Sequence, residues 1–476
     1  MSNFTMSNTR LSILAAVLAL SGCTMIPKYE RPAAPVAARY PGMTETNAGA
    51  AASEIAWQDF FADERLKRLI GLSLTNNPDL HVAVLNVEQS RAQYRITRSA
   101  SLPTVEGSGS YTHSKDSLAG FPTGGDGSAG ASSFTTTLWN ASLGTTAYEV
   151  DFFGRVRSLN RQALEKYFAT DEARRSAQIA LVSEVAMQYF TLRQMEEQLR
   201  VARQTLAAVQ GSYDLNKATF EAGASSQLDL STAEGQLQSA KIDVLTYERQ
   251  LAQAENHLVL LIGQPLPAEL PPGLPFDSTN VLAGIPAGLP SELVQRRPDI
   301  LEAEHTLKAA NANIGAARAA FFPTLTLTAS AGTTSSQLEQ LFGSGTGVWS
   351  FAPQVTLPIF TGGQSRAELD AAKVAVSIEV AEYQKAIQTA FREVADALVA
   401  ISTYADQVHA ESVAINAEQV RYDLSNLRYR QGEDTYLNVL LAQQDLYSAQ
   451  QGMLQAQYNK IASQISLYQA LGGGWK

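Results

Sequence analysis

An uninterrupted run without glycine or proline, from Gln364 to Gln431, constrains this chain more than any other feature. Apolar and small residues recur within it at the spacing of a coiled-coil seam. At about 1.5 Å per residue such a helix is roughly 100 Å long, several times the length of an ordinary globular helix. Apolar residues one position off the seam widen the stripe, so the helix can contact neighbours on two sides. The seam residues are Val380, Tyr383, Ile387, Ala390, Val394, Ala397, Ile401, Tyr404 and Val408, and the flanking ones are Phe391 and Leu398.

The N-terminal segment has the composition of a targeting sequence. An apolar run too short to span a bilayer, but of the length of a signal peptide's apolar region, ends in Leu-Ser-Gly-Cys at Cys23. This ending looks like a bacterial lipobox, in which the cysteine is lipidated and becomes the mature N-terminus; the alternative is an ordinary signal peptide with an incidental cysteine. We predict a signal peptide over 1–22, starting at Met1 or Met6, and a lipid-anchored tether over 23–62. Cys23 is the only cysteine, so no intramolecular disulfide can form.

The composition of the chain limits the kinds of partner that it is expected to bind. The chain has 36 Lys plus Arg against 46 Asp plus Glu, a formal charge of -10, and no basic cluster, so nucleic acid is not expected as a partner. No other apolar run approaches the length of a transmembrane helix. Thr24, rather than aspartate, follows the cysteine, which resembles lipoproteins sorted to the outer membrane.

The body of the chain is an internal duplication. Asn77-Pro78-Asp79-Leu80 matches Arg297-Pro298-Asp299-Ile300, and further pairs follow at near-constant offsets. Each copy has the same order of a helix, a proline, a strand pair, a very long helix, a glycine turn and another helix. A Pro-rich linker at 264–290 joins the copies, and 473–476 ends the chain. Repeat 1 is predicted over 63–263 (β-hairpin 104–148, long helix 155–220, helix 227–262) and repeat 2 over 291–472 (β-hairpin 324–357, long helix 364–431, helix 435–471).

The strand candidates alternate apolar residues with Ser, Thr and Gln. This pattern suits a transmembrane barrel with a wet lumen, although a soluble sandwich sheet alternates equally well. Three features favour the barrel: the lipobox, the tryptophans near strand ends, and the lack of transmembrane helices. Four strands cannot close a barrel and an open edge is not viable in lipid, so the chain must oligomerise. Three copies would give a water-filled channel, whereas two copies would give a barrel filled by side chains. The predicted lipid-facing residues are Trp349, Phe351, Val355 and Leu357.

Four segments resemble the TolC/OprM outer-membrane factor family, and the OprM branch in particular, over nearly the whole mature chain. The resemblance implies a mainly α protein with transmembrane β structure: a homotrimer in which an α-barrel of long coiled helices continues a 12-stranded β-barrel with four strands per chain. It implies an outer-membrane location extending into the periplasm, with the tether, linker and C-terminus forming an equatorial belt. It also implies tripartite efflux of drugs and small toxic compounds, with a periplasmic adaptor and an inner-membrane pump of the resistance-nodulation-division type. The segments are residues 143–155, 295–305, 315–323 and 470–475.

Two helix turns end the long helices. Glycine just past a helix end and Ser or Thr at the next N-cap are ordinary helix-turn chemistry and need no further function. The resemblance adds that these tips dock the adaptor and lie where the periplasmic end constricts. The predicted docking residues are Gly223, Ala224, Ser225, Ser226, Gly432, Glu433, Asp434 and Thr435.

A gate is predicted beside these tips. Asp229 can be the acidic member of a capping box, and the resemblance places a gate aspartate there, which would pair with Arg428 or Tyr429 on the facing helix. A single ion pair at a wet aperture is weak, but a threefold ring of them makes a switchable latch. Asn438 and Leu441 stand where relatives often carry acidic residues, so an apolar constriction is the alternative. The predicted gate residues are Asp229, Arg428, Tyr429, Leu437 and Leu441.

No catalytic or metal-binding pattern is recognisable. The histidines are scattered without metal-ligand spacing, and His305 with Glu304 is expected to be a surface or packing pair. We therefore expect no enzyme activity, no metal and no cofactor apart from the lipid on Cys23. Two other functions remain open: the same fold serving type I protein secretion, and a lipid-anchored envelope scaffold without a pore.

Overall fold

The fold is described from a computed structural model that covers residues 24–37, 39–40, 54–117, 133–276, 280–282 and 290–475. The predicted signal peptide, Cys23 and much of the predicted linker lie outside these residues. Among the described residues the chain is mostly helical and contains one four-stranded antiparallel sheet. The helices are α1 (Trp57–Phe60), α2 (Glu64–Asn76), α3 (Pro78–Ser99), α4 (Arg155–Glu221), α5 (Gln227–Ile262), α6 (Pro290–Arg296), α7 (Pro298–Ala319), α8 (Gln364–Arg430) and α9 (Tyr436–Ala470), and the strands are β1 (Glu106–Ser117), β2 (Ser133–Val150), β3 (Thr324–Ser335) and β4 (Gly347–Thr356).

The two long helices, α4 and α8, have 67 residues each. At about 1.5 Å per residue each is roughly 100 Å long. The heptad seam of α8 is buried in its middle part, where Tyr383, Ala390 and Val394 are fully covered. Val380 and Val408, nearer the ends of the seam, are half-buried. None of the helices in the described part of the chain combines the length and apolar character that a bilayer crossing requires.

The chain divides into two compact units, each assembled from segments of both sequence repeats. One unit contains the sheet with its flanking helix ends (Glu88–Phe168 and His305–Ala381) and the described residues 24–31. The other contains Pro32–Val87, Ala169–Glu304 and Glu382–Lys476. The division between the units therefore falls within the long helices and not at the boundary between the repeats.

The sheet joins the two predicted hairpins edge to edge. The strand order is β1-β2-β3-β4, with β2 pairing β3 across the two repeats. The hairpin of repeat 1, predicted over 104–148, begins two residues later at Glu106 and ends two residues later at Val150. Strands β1 and β4 form the two edges of the sheet, and neither edge has a partner strand in the described residues.

A β-bulge in β2 keeps the apolar side chains on one face of the sheet. The register slips between Thr145 and Tyr148, where three steps on β2 oppose two on β3. Ala147 within the bulge has a φ of +51°, and its N–H donates to the Thr328 hydroxyl at 3.2 Å. Because the extra residue shifts the two-residue period by one, Leu143 and Val150 lie on the same face despite their odd and even numbers.

The two faces of the sheet differ in chemistry. One face carries apolar residues in register across β2, β3 and β4, such as Leu143 opposite Ala331 opposite Trp349. The other face carries hydroxyls, and Ser330 and Ser350 share a hydrogen bond of 2.8 Å across β3 and β4. This is the alternation expected of strands between lipid and water.

Aromatic residues close the core beside α1. Phe60 stacks on Tyr468 with ring centroids 4.0 Å apart, and the Tyr468 hydroxyl donates to the Ile55 carbonyl at 2.6 Å. Burial raises the pKa of the Tyr468 phenol, so it stays protonated and continues to donate. Asp63 caps α2 and accepts a hydrogen bond from the buried Tyr189 hydroxyl at 2.6 Å. Trp57, Phe60 and Phe61 are therefore part of the packed core.

Candidate functional site

The turn after α4 is a Schellman motif. The Gly223 N–H donates to the Phe220 carbonyl and the Ala224 N–H to the Thr219 carbonyl, both at 2.9 Å. These bonds satisfy carbonyls that a helix end otherwise leaves without partners. Gly223 has a φ of +75°, in the left-handed region that glycine adopts without strain.

The turn after α8 repeats this geometry. The Gly432 N–H donates to the Tyr429 carbonyl at 3.0 Å, the Glu433 N–H donates to the Arg428 carbonyl at 2.9 Å, and Gly432 also has a φ of +75°. No atom outside the immediate chain neighbours lies within 4 Å of where a Cβ would stand at either glycine. Both tips are therefore rigid in backbone and open at the surface.

The helices that follow the tips start with different caps. At α5 the Ser226 hydroxyl accepts from the Asp229 N–H at 3.1 Å, and the Asp229 carboxylate accepts from the Ser226 N–H at 3.4 Å, which completes a capping box. At α9 the Thr435 side chain makes no cap bond. Asp434 replaces it, because its carboxylate accepts from the Thr435 N–H at 2.8 Å and from the Asn438 amide at 2.6 Å.

The expected pairing of Asp229 with Arg428 is not found within the chain. Arg428 binds Asp434 instead, with 3.4 Å between Nε and the carboxylate oxygen. The Schellman turn explains this choice, because it folds the chain back and places Asp434 beside the last turn of α8. The Asn438 amide, the Thr435 N–H and Arg428 together lower the pKa of Asp434. The Asp229 carboxylate is instead engaged by Ser226.

Among the predicted gate residues, Tyr429 is the one whose pKa is changed by the charge of Asp229. Burial and the negative charge of Asp229 both raise the pKa of the Tyr429 phenol. Its hydroxyl donates to the Asn216 side-chain oxygen at 3.1 Å, and its ring lies 5.6 Å from that of Tyr436. Burial raises the pKa of Tyr436 to about 12. All these phenols are therefore neutral at physiological pH and act as packing and hydrogen-bonding groups.

Asn216 is a buried site residue that the sequence analysis missed. It is fully covered, and its amide donates to the Ser212 carbonyl at 2.9 Å while its oxygen accepts from Tyr429. The sequence does carry a signal for this residue. Leu199, Leu206 and Tyr213 recur every seventh residue as a seam of α4, and Asn216 occupies the seam position three residues after Tyr213. A single buried amide in a coiled-coil seam specifies which helix pairs with which, at a cost in stability. The hydrogen bond from Tyr429 to Asn216 thus links α8 to α4 near the tips.

Leu437 and Leu441 lie on the first two turns of α9 and remain exposed, at 56 % and 42 %. Leu228 on the first turn of α5 is 75 % exposed. The described residues cover these apolar side chains only in part, although Val439 beside them packs against Ala233 and Tyr436. Leu437 and Leu441 therefore form an exposed apolar surface next to the packed aromatic cluster.

The predicted lipid-facing residues follow one face of the edge strand. Trp349, Phe351 and Val355 alternate along β4 and are 79 %, 60 % and 67 % exposed. Leu357 lies one residue past the strand, which ends at Thr356, and is also exposed. Their partners on β3 share the apolar face of the sheet.

The segment around Arg297 is a structural network. The Arg297 guanidinium binds Asp299 at 2.8 Å and Glu393 at 2.5 Å, and donates to the Ala470 carbonyl at 3.0 Å. Burial works against the charge of Arg297, but the two carboxylates outweigh it and raise the pKa of the guanidinium. Arg297 is thus a mostly buried charge that two carboxylates pair.

His305 belongs to a packed ion-pair cluster. Its Nδ1 lies 2.6 Å from the buried Glu165 carboxylate, which also binds Arg161 at 2.6 Å. Burial opposes the charged form, yet the His305 hydrogen bond and the charges of Arg161 and Lys308 together lower the pKa of Glu165. Within the described residues no group of three or more His, Cys, Asp or Glu is arranged to hold a metal ion.

A family model for outer membrane efflux proteins matches residues 69–264 and 289–473. The probable efflux pump outer membrane protein TtgC of Pseudomonas putida is 45 % identical over 474 residues, covering 99 % of this chain and 96 % of the relative. The cation efflux system protein CusC of Escherichia coli is 38 % identical over 475 residues, covering 99 % of this chain and 100 % of the relative. The open state of the Neisseria gonorrhoeae MtrE outer membrane channel superposes with a TM-score of 0.85 and 40 % identity, covering 95 % of this chain and 99 % of that one.

Proposed function

Because this chain belongs to the outer membrane efflux protein family and is an outer-membrane efflux channel, we propose that it is the passive exit duct of a tripartite pump for drugs and small toxic compounds. It performs no bond chemistry and needs no cofactor. An inner-membrane pump of the resistance-nodulation-division type supplies the energy, and a periplasmic adaptor joins the pump to the duct.

The observation that carries this proposal is the unclosed sheet. Four strands with an apolar face and two edges without partner strands in the described residues cannot stay in lipid as a single chain. The smallest single-chain barrels have about eight strands. Three copies supply twelve strands, enough for a water-filled lumen lined by the hydroxyl face, and the proposed assembly is therefore a homotrimer.

An exposed stripe on α8 supports the same assembly. The seam of α8 is buried in its middle part, but a second row of apolar side chains is exposed among the described residues. This row repeats at multiples of seven residues, with Asp406 at the one position that it skips. An apolar stripe with heptad spacing fits the helices of a neighbouring copy. The row consists of Val399, Val413, Val420 and Leu427, which are 58 %, 56 %, 58 % and 52 % exposed.

The tips supply the proposed contacts and gate. The turn residues from Gly223 to Ser226 and from Gly432 to Thr435 dock the adaptor, which is supported by their open surface and fixed backbone. Asp229, Arg428 and Tyr429 form the polar part of the gate; within the chain Arg428 binds Asp434, and Asp229 caps α5. Exposed Leu437 and Leu441 form its apolar part.

Lipidation of Cys23 completes the proposal. The lipobox sequence supports it, and the lipid anchors each chain to the outer membrane in addition to the barrel. A thioether-linked lipid leaves the mature protein without a free thiol, because Cys23 is the only cysteine.

Gene deletion followed by complementation tests the function. Deletion should raise sensitivity to several unrelated drugs, the intact chain should restore resistance, and the purified protein should conduct in planar bilayers once opened. Unchanged drug sensitivity together with loss of a secreted protein would favour type I secretion. A protein that never conducts would instead be a scaffold without a pore.

A further inference from the structure

The charged residues of the four strands are divided between the two faces of the sheet. We call the face of Leu143 and Trp349 the outer face, and the face of Ser330 and Ser350 the inner face. Residues directly opposite each other share a face, and residues two apart along a strand return to it. By this register the basic residues of the strands lie on the outer face and the carboxylates lie on the inner face. The basic residues are His113 and Lys115, and the carboxylates are Glu106, Asp116 and Glu149.

Side-chain contacts in the β1–β2 hairpin agree with this assignment. On the outer face, His113 Nδ1 lies 2.9 Å from the Thr137 hydroxyl oxygen. On the inner face, the Ser114 hydroxyl donates to the Asp116 carboxylate at 3.3 Å. The two faces of this hairpin therefore differ in charge as well as in backbone register.

The apolar part of the outer face ends at an aromatic pair. Tyr111 and Trp139 lie opposite each other, with ring centroids 4.5 Å apart. The neighbouring strand β3 carries no charged residue from Leu325 to Ser335, and Ser335 pairs with Trp139. These ten steps of about 3.4 Å span about 26 Å of height at a tilt of roughly 40°, close to the apolar band of about 25 Å on membrane barrels. Since aromatic side chains concentrate at membrane boundaries, the pair marks one boundary of the bilayer.

The basic residues lie beyond this boundary, on the exterior side. The hairpin joins α3 at its Glu106 end and α4 at its Val150 end, so in an outer-membrane channel that extends into the periplasm the opposite end faces the cell exterior. His113 and Lys115 follow Tyr111 by two and four residues, which places them about 5 and 10 Å above the boundary at the same tilt. The headgroup layer of a bilayer is about 5–8 Å deep on each side, and a lysine side chain can bend its ammonium into it.

Lys115 is available to a partner outside the chain. It is exposed and has no carboxylate within ion-pair distance among the described residues. Its neighbour Asp116 lies on the inner face, where the Ser114 hydroxyl binds it. Thr135 stands opposite Lys115 and is also exposed. An ammonium beside hydroxyl groups is suited to phosphate and sugar oxygens, because hydrogen bonds between charged groups are the strong ones.

Resting on the proposed barrel, we propose that Lys115, His113 and Thr135 bind the phosphate and sugar groups of the phosphorylated glycolipid that forms the outer leaflet of a Gram-negative outer membrane. The aromatic pair Tyr111 and Trp139 contacts the acyl chains of the same lipid, one level below. A single lipid thus meets apolar, aromatic and cationic groups in the order in which its own parts are arranged. Each chain of the assembly carries one such headgroup site.

Photocrosslinking at adjacent residues tests the site in cells. In the full-length protein, Thr135 on the outer face or Thr136 on the inner face is replaced by p-benzoylphenylalanine. After irradiation, an antibody against the glycolipid should detect an adduct with the position 135 variant and none with the position 136 variant. Thr137 and Leu138 repeat the comparison if either variant fails to reach the membrane. Adducts at the inner positions alone, or at none of the four positions, would overturn the site.

Native mass spectrometry of the purified protein tests the role of the phosphates. The probe is lipid A that carries both phosphates or neither. We expect Lys115→Gln to bind the phosphorylated form about five-fold more weakly per chain, the factor for one lysine at an anionic membrane surface. Asp116→Asn, one residue away on the inner face, is the control and should bind as the unchanged protein does. Binding that ignores the phosphates, or that both variants change equally, would overturn recognition of the headgroup.

The two tests separate the headgroup site from the channel. A Thr135 variant that assembles in the outer membrane and restores drug resistance, but forms no adduct there or at Thr137, overturns the site and leaves the proposed function standing. A protein that is absent from the outer-membrane fraction refutes the proposed barrel itself.

Discussion

Replacing the tip glycines by alanine should loosen both helix turns by a predictable amount. Gly223 and Gly432 each have a φ of +75°, and a Cβ at either position meets no atom within 4 Å. The cost of Gly223→Ala or Gly432→Ala is therefore backbone strain alone, about 1–2 kcal/mol for a left-handed residue with a side chain. Alanine also reduces the entropy of the unfolded chain, which returns about 0.4–1 kcal/mol. The net loss is about 0.5–1 kcal/mol per tip.

Hydrogen–deuterium exchange of the assembled protein measures this loss locally. A loss of about 0.5–1 kcal/mol in opening free energy makes exchange about two- to five-fold faster, because each 1.4 kcal/mol is roughly tenfold. Peptides covering residues 215–230 should accelerate in Gly223→Ala, and those covering residues 424–440 in Gly432→Ala. The middle of α4 and α8 should exchange as in the unchanged protein.

Gly211 provides a matched control with the opposite sign. It lies inside α4, is exposed, and also has open space where a Cβ would stand. Alanine there should stabilise the helix by about 0.5–1 kcal/mol and slow local exchange by a similar factor. Unchanged or slower exchange at the tips of Gly223→Ala and Gly432→Ala, with slower exchange in Gly211→Ala, would refute the assignment of strain to the turns.

Three further predictions concern the gate, the barrel and the anchor. Asp229→Ala combined with Arg428→Ala should raise channel conductance or vancomycin sensitivity, and an unaltered phenotype would remove both residues from the gate. Phe351→Lys should impair outer-membrane assembly, since lysine on a lipid face costs about 2–4 kcal/mol at the bilayer midplane. Ser350→Lys, on the hydroxyl face, is the control and should assemble. Equal yields of the two variants would mean that Phe351 is not in lipid. Cys23→Ser should abolish labelling by radioactive palmitate, and persisting label would contradict lipidation there.

The long helices and their turns follow from local rules. A heptad pattern without glycine or proline over 364–431 predicts a single long helix, and α8 spans Gln364–Arg430. Glycine followed by a capping residue predicts the turns, and both are Schellman motifs. These features depend on residues close in sequence, which is why a pattern of spacing is enough to find them.

The side-chain pairings around the proposed gate could not be predicted from sequence spacing in the same way. The partner of Arg428 depends on how the Schellman turn folds the chain back onto the helix end, and Asp434 competes successfully with Asp229. The β2 bulge was hidden because one inserted residue breaks the two-residue period at Thr145. The course of residues 24–29 could not be predicted either, because their contacts with α7 are side chain to backbone and leave no periodic signal in the sequence.

The mass and symmetry of the purified particle test the central claim most directly. A sheet of four strands with two unpaired edges in the described residues requires other copies to complete it in lipid. Light scattering and electron microscopy in detergent should show three chains with threefold symmetry. A folded particle that contains a single chain, with β1 and β4 exposed to solvent, would contradict the account.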